Sequence, residues 1–397
     1  MIDVLFVTYG GGHVKSIIPV YNELAKRGVK CQVLSLTSSY KILKDNNIPF
    51  KTYEDLKCFF TESELGEIKY FSEKYFEKNY DINSGIPSKV IYWYIGINIW
   101  DLSKQFNSKQ RAEDYYEKFG KKVFCPLNLF KRLLSNVSPK VIVVSSGQRS
   151  EKAAAIQGND LGIQVVRIID LISKNFKYDY KSIFCVQNNL SKRKLLEIAP
   201  KVPEKDIRVT GQPNLINRYE KLEESNFYEN YQPQIFSKIV TLFSQPNLKD
   251  IEKIRKEYKS IALNNPKILF IWKLHPNEES FVFKSKIENL FVLKDINSSL
   301  LIEKSDLIIT FFSTIGMQAI TNDKNLLVIN HLNEDYPVKY HEMGCAIMLT
   351  NLKKMEEVVL NSLYDPTLFE DIKNKRKKID NVLNPEINIS NIITSYL

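Results

Sequence analysis

Short β-branched runs alternate with amphipathic stretches along most of this chain, and that rhythm restricts the folds open to it more than any other feature. Residues 3–8 read as a first strand. Ile17, Ile18, Val20, Tyr21, Leu24 and Ala25 then recur at helical spacing, Gly28 stops the helix, and 29–36 is the next strand. Residues 141–145, 163–169 and 182–186 continue the series. Strands separated by helices in this way build a parallel sheet covered on both faces, so the expected class is α/β.

At 397 residues the chain is long for one core, and a second series starts after a polar stretch. It runs strand 238–243, helix 248–263, strands 267–274 and 291–294, helix 299–304, strand 306–310, helix 314–321, then strands 326–330 and 346–350. The expected organisation is an N-terminal Rossmann-like domain over 1–216, a linker over 217–236 and a C-terminal Rossmann-like domain over 237–397. These would be two parallel-sheet domains facing a cleft. Residues 55–132 break the rhythm and are rich in aromatics, among them Phe59, Tyr70, Tyr75, Tyr94, Trp100, Tyr115 and Tyr116. They read as helices inserted into the first domain with their rings in its core; an acceptor groove for a lipid or glycan is the alternative use.

Three strand ends carry the chemistry. Gly10, Gly11 and Gly12 follow the first strand and lead into His13. Such a turn tolerates positive φ, lets a ligand come close and points free N–H groups at it. An imidazole there, with an ordinary pKa of about 6.5, can take a proton from an attacking hydroxyl or touch the ligand directly; the alternative is a residue of the first helical turn bonded to backbone, with no catalytic duty. The turn lacks the Gly-Lys-Ser/Thr ending of a P-loop and the spacing of a dinucleotide fingerprint.

Lys273 and His275 close another strand, and Pro276 ends the ladder and aims the histidine. Both side chains can donate to phosphate oxygens, the alternative being a buried histidine that stabilises the turn. Ser313 and Thr314 open the helix 314–321, where their hydroxyls cap it or, with its free N–H groups, hold a phosphate. The polar loop 330–344, with His341 and Glu342, is either a contact for sugar or ribose hydroxyls or a plain surface loop. Arg149 and Glu151 follow the strand 141–145. Arg149 is read as a structural partner of Glu151 or Asp170, with an acceptor or domain-interface contact as the alternative. No HExxH, CxxC or DxD pattern is present, so neither metal nor cofactor is expected.

At these residues the chain resembles GT-B glycosyltransferases and the related non-hydrolysing UDP-GlcNAc 2-epimerases. Gly10-Gly11-Gly12-His13 looks like the first-strand glycine turn of lipid II GlcNAc transferases and UDP-glycosyltransferases, and Arg208-Val209-Thr210-Gly211-Gln212-Pro213 is similar to the segment closing their first domain. His275-Pro276 with Ser313-Thr314 resembles the motifs by which bacterial sialyltransferases and polysialyltransferases hold a CMP-sugar phosphate, and Phe243-Ser244-Gln245-Pro246 fits that group. The resemblance implies a metal-independent transferase: His13 and His275 catalytic, and a nucleotide sugar held by Lys273, His275, Pro276, Ser313, Thr314, Gln318, Gln245, His341 and Glu342. It favours a CMP-linked sialic-acid-like or Kdo-like donor, with a UDP-sugar or a 2-epimerase as alternatives. Gln318-Ala319 stands where UDP-sugar families present Glu-Ala.

The net charge of +10 suits anionic donor phosphates or lipid headgroups, while no helix-turn-helix, RRM or zinc pattern points to nucleic acid. The run Lys373–Lys378 reads as a solvated helix face, with membrane docking as the alternative. The five cysteines are scattered, lack zinc spacing and fit buried thiols in a reducing cytoplasm. Residues 1–7 read as a strand and not a signal peptide. The expected setting is cytoplasmic, with possible peripheral contact at the inner membrane face and a cell-surface glycan or lipid-linked acceptor.

Overall fold

The structure is a computed structural model that describes residues 2–170, 181–215, 221–275, 278–279, 281, 287–336, 338–376 and 382–397. It divides into two compact units, Met1–Asn214 with Val382–Leu397, and Leu215–Asn381.

The first unit is built on β1 (Val4–Thr8), β2 (Cys31–Ser35), β3 (Phe50–Lys51), β4 (Val141–Val144), β5 (Gln164–Ile168), β6 (Ile183–Val186) and β7 (Ile207–Val209). Their order is β3-β2-β1-β4-β5-β6-β7, with every pair parallel. All residues of β1 and β4 are buried, as continuous apolar strands covered on both faces must be. The chain winds outward from β1 to β3 and returns at β4. Connections therefore leave the carboxyl ends of β1 and β4 in opposite directions and open a crevice between them.

The two faces have different covers. On one, Val4, Phe6 and Val143 pack with Val14, Ile17, Val20 and Leu24 of the helix Gly12–Lys26. On the other, Leu5, Val7, Ile142 and Val144 share a core with Phe71, Tyr94, Trp100, Tyr116 and Phe130 of the aromatic insert. The insert is four helices, Glu62–Asn79, Ser88–Phe106, Lys109–Phe119 and Leu127–Val137. Most of its rings are core, but Tyr70 and Tyr115 are exposed.

The second unit carries β8 (Lys238–Phe243), β9 (Ile268–Lys273), β10 (Leu290–Leu293), β11 (Leu307–Thr310), β12 (Asn325–Ile329) and β13 (Ile347–Leu349). The order β10-β9-β8-β11-β12-β13, again all parallel, repeats the outward-and-back winding and puts a second crevice between β8 and β11.

Several expectations need correcting. The last helix, Pro385–Thr394, does not belong with the C-terminal sheet: Ile389 and Ile393 are buried against the helix Gly12–Lys26 of the first unit. An apolar stripe on this short segment is satisfied only by burial there. The stretch read as a linker contains the helix Lys221–Tyr231, and Phe227 anchors it in the second core. Cys58 is exposed and Cys31 and Cys125 half-buried, so burial of the thiols holds only for Cys185 and Cys345. Within the basic run, Arg376 is turned inward, donating to the carbonyls of Cys345 and Lys324, and so is not part of a solvated face. Lys377 and Lys378 lie outside the described residues. Among the described residues no helix is long and apolar enough to cross a membrane.

Candidate functional site

In the first unit the glycine turn leaves β1 and enters the helix Gly12–Lys26. Gly11 has φ of +67°, a left-handed conformation that a side chain would oppose, and it starts the helix without a side-chain cap. His13 is thereby placed in the first helical turn, beside the carboxyl end of β4.

There it meets Glu151, which has no solvent exposure. Five donors converge on this carboxylate. Oε1 accepts from Nδ1 of His13 at 2.9 Å and from the Tyr9 N–H at 3.1 Å. Oε2 accepts from the Ser145 hydroxyl at 2.8 Å, the Ser145 N–H at 3.2 Å and the Gly147 N–H at 2.7 Å. The Ser145 hydroxyl also touches Nδ1 of His13. A Cβ on Gly147 would sit 2.5 Å from Oε2, so a glycine is needed for the approach. Burial alone would push Glu151 up, but His13 and these donors hold its carboxyl below the ordinary range. Burial likewise opposes charge on His13, yet Glu151 at hydrogen-bond distance and Asp170 beyond it raise its pKa to about 9. Nε2 of His13 lies 3.7 Å from Oδ2 of Asp170.

This arrangement fixes the imidazole by one nitrogen and leaves the other for chemistry, the geometry of an oriented acid or base. Serine and carboxylate both act at Nδ1, so the cluster is not a nucleophilic Ser-His-Glu triad. It also corrects the reading of Glu151 as a partner for Arg149. The Arg149 guanidinium instead lies over the Tyr9 ring, 4.4 Å from its centroid.

In the second unit, residues following β8, β9 and β11 come together. Gln245 accepts from the Phe312 N–H at 3.3 Å and ties the end of β8 to the turn after β11. Ser313 caps the helix Thr314–Thr321 by accepting from the Ile315 N–H, Thr314 is exposed, and Tyr340 donates to the Ser313 carbonyl at 2.6 Å. His275 stands at the end of β9. Glu278, which motif reading passed over, accepts from its backbone N–H at 2.7 Å and from the Ser244 hydroxyl at 2.8 Å. Burial lowers the His275 pKa and Lys273 adds to the effect, while Glu278 opposes it, so the ring is neutral near pH 7.

Other expected donor contacts are used differently. The Lys273 ammonium is buried and donates to the carbonyls of Leu274 at 3.0 Å and Lys294 at 2.7 Å, holding the strand ends in place of a phosphate. Gln318 is buried and donates to the Ser299 hydroxyl at 3.1 Å. Glu342 is exposed and pairs with Lys339 at 3.2 Å. His341 is half-buried, with a buried Nδ1 that has no hydrogen-bond partner among the described residues. Pro276 lies outside the described residues. Among the described residues no three His, Cys, Asp or Glu side chains group as a metal site.

No protein-family model matches this sequence, and no curated protein matches it either. Solved structures match it in fold. UDP-GlcNAc 2-epimerase from Neisseria meningitidis, bound to UDP-GlcNAc, is 17% identical with a TM-score of 0.62, over 100% of this chain and 99% of that one. The glycosyltransferase SnogD from Streptomyces nogalater is 12% identical with a TM-score of 0.58 over 100% and 99%. The glycotransferase of kitacinnamycin is 11% identical with a TM-score of 0.60 over 100% and 99%. The likeness at these identities establishes the fold: two Rossmann-like parallel-sheet domains of the GT-B kind.

Proposed function

We propose that this chain is a metal-independent glycosyltransferase whose C-terminal unit holds a nucleotide sugar and whose N-terminal unit holds the acceptor. The observation carrying the reading is the His13–Glu151 pair at the β1/β4 crevice, a histidine oriented through Nδ1 with Nε2 turned to a half-buried carboxylate. In the proposed reaction the acceptor oxygen forms a bond to the anomeric carbon as the bond to the nucleotide phosphate breaks. The phosphate leaves with that electron pair, and the acceptor proton passes to Nε2 of His13. Because His13 is raised to about 9, its neutral form is the minority at pH 7, and kcat/KM rises with pH up to that value.

His275, the Ser313 and Thr314 hydroxyls and the start of the helix Thr314–Thr321 are assigned to the departing phosphate, where donors aimed at developing charge lower the barrier. Gln318 is neutral and bonded to Ser299, which supports a CMP-linked sugar over a donor whose ribose needs a carboxylate. A cell-surface glycan or lipid-linked acceptor at the inner membrane face is part of the same proposal.

The second reading is a nucleotide-sugar 2-epimerase, favoured by Asp170 and Glu151 facing one imidazole, an acid–base set that could act on a single sugar. Melting curves with CMP, CDP, UDP and GDP identify the nucleotide, since a ligand that binds the folded state raises Tm. The matching nucleotide sugar is then incubated with and without glycan acceptors. Transfer that depends on acceptor supports the first reading; isomerisation without acceptor replaces it with the second.

A further inference from the structure

We propose that the rim beside His13 is an anion-binding site, so that the acceptor received there carries a carboxylate or phosphate; this rests on the transferase reading above. Two cations carry the argument. Arg149, half-buried, stacks on Tyr9, and among the described residues its guanidinium makes no hydrogen bond and reaches no carboxylate at ion-pair distance. Lys121, in the turn Gly120–Val123 of the aromatic insert, is also half-buried, and among the described residues its ammonium has no bonded partner. The two repel each other: burial and then Arg149 depress the Lys121 pKa. The nearby carboxylates are otherwise committed, Glu151 to His13 and its other donors, Asp170 to the far side of the same ring.

Burial opposes the charge of Arg149 while the neighbouring tyrosines and Glu151 favour it, yet among the described residues no carboxylate bonds either cation, so a ligand anion gains both as direct partners. The platform under Arg149 is fixed. The Tyr9 hydroxyl bonds those of Tyr94 and Ser150, each at 3.1 Å, and Tyr53 reaches Ser150 at 2.9 Å. Tyr9 and His13 meet edge to face with centroids 6.4 Å apart. A stacked guanidinium keeps its planar fork of N–H donors, which matches a carboxylate or phosphate by two parallel bonds. The insert thus serves recognition as well as core, supplying Lys121 beside Arg149 and, from below, the buried Tyr94 hydroxyl that holds Tyr9.

The test is calorimetric binding of methyl glucuronide, glucose 6-phosphate and neutral methyl glucoside to the full chain and to Arg149→Gln and Lys121→Gln, with CMP and UDP in parallel. Lys121→Gln removes no side-chain bond, so it guards against loss of folding in Arg149→Gln. The expected result is an anionic sugar bound at least about tenfold more tightly than the neutral one, the preference falling by about tenfold in each variant while nucleotide affinity holds. The better of the two anionic probes separates carboxylate from phosphate. Equal binding of charged and neutral sugars overturns the proposal, as does a preference that survives both substitutions. Nucleotide affinity that falls with Arg149→Gln also overturns it, because the anion is then the donor's own phosphate. If the preference is lost in both variants but no nucleotide sugar is turned over, the anion site stands and the transferase reading fails.

Discussion

Nδ1 of His13 and Oε1 of Glu151 lie 2.9 Å apart although 138 positions separate them in the chain. The pair joins the turn after β1 to the helix Ser150–Asp160 after β4, across the point where the sheet reverses its winding. It decides the charge of both groups.

Glu151→Gln removes the nearer of the two carboxylate charges that raise His13, leaving burial and Arg149, which lower it, opposed by Asp170 alone. The His13 pKa should fall clearly from about 9, read from its ring proton shifts in an NMR titration. Three backbone N–H groups and one hydroxyl lose their shared carboxylate in the same variant. A stability loss of about 1–3 kcal/mol in denaturant unfolding is expected.

Folding stability should depend on pH through the same pair. The folded His13 pKa is about 9 against an ordinary 6.5, so its contribution is fully present below 6.5 and is lost as pH rises through about 9. Glu151 is lowered from 4.5, so its contribution is present above that value and is lost as pH falls below it. Melting curves of the wild type should decline on the alkaline side, and His13→Gln should flatten that decline.

Gly316 faces Tyr340 so closely that a Cβ would sit 2.4 Å from the ring. Gly316→Ala should destabilise the second unit by about 1–3 kcal/mol, since the phenol is buried and cannot step aside. Tyr340→Phe should cost about 1 kcal/mol or less by removing one of two donors to the Ser313 carbonyl, which keeps the Gly316 N–H at 3.0 Å. Thermal unfolding of both variants checks the order.

His275, with its pKa lowered, is neutral near pH 7 and gains a proton more readily once a phosphate is bound. Nucleotide affinity should therefore increase as pH falls below about 6.5, and His275→Gln should abolish that increase. Isothermal titration at several pH values measures it.

Much of the fold was legible because strands buried on both faces leave unbroken apolar runs, as in β4, β9 and β11. β3 was not, since two residues make no pattern, and β7 was too short to stand out. The terminal helix was assigned by nearness in sequence, whereas its partners Val14 and Ile17 lie at the other end of the chain. At the site, a glycine turn before a helix marked His13, because that backbone needs those residues. Glu151 was marked only by its place after the strand 141–145 and beside Arg149; nothing local showed its pairing with His13, which depends on a contact from a distant strand end. Lys273 shows the reverse: a lysine at a strand end suggested phosphate, but carbonyls freed where β9 and β10 stop recruit its ammonium first.

Turnover of a nucleotide sugar by wild type, His13→Gln and Glu151→Gln, at fixed acceptor and across pH, bears most directly on the account. It predicts a wild-type kcat/KM that rises to a plateau near pH 9, and a loss of about 100-fold or more in His13→Gln with the nucleotide-induced Tm shift intact. Turnover in His13→Gln equal to wild type, with the same pH profile, would contradict it.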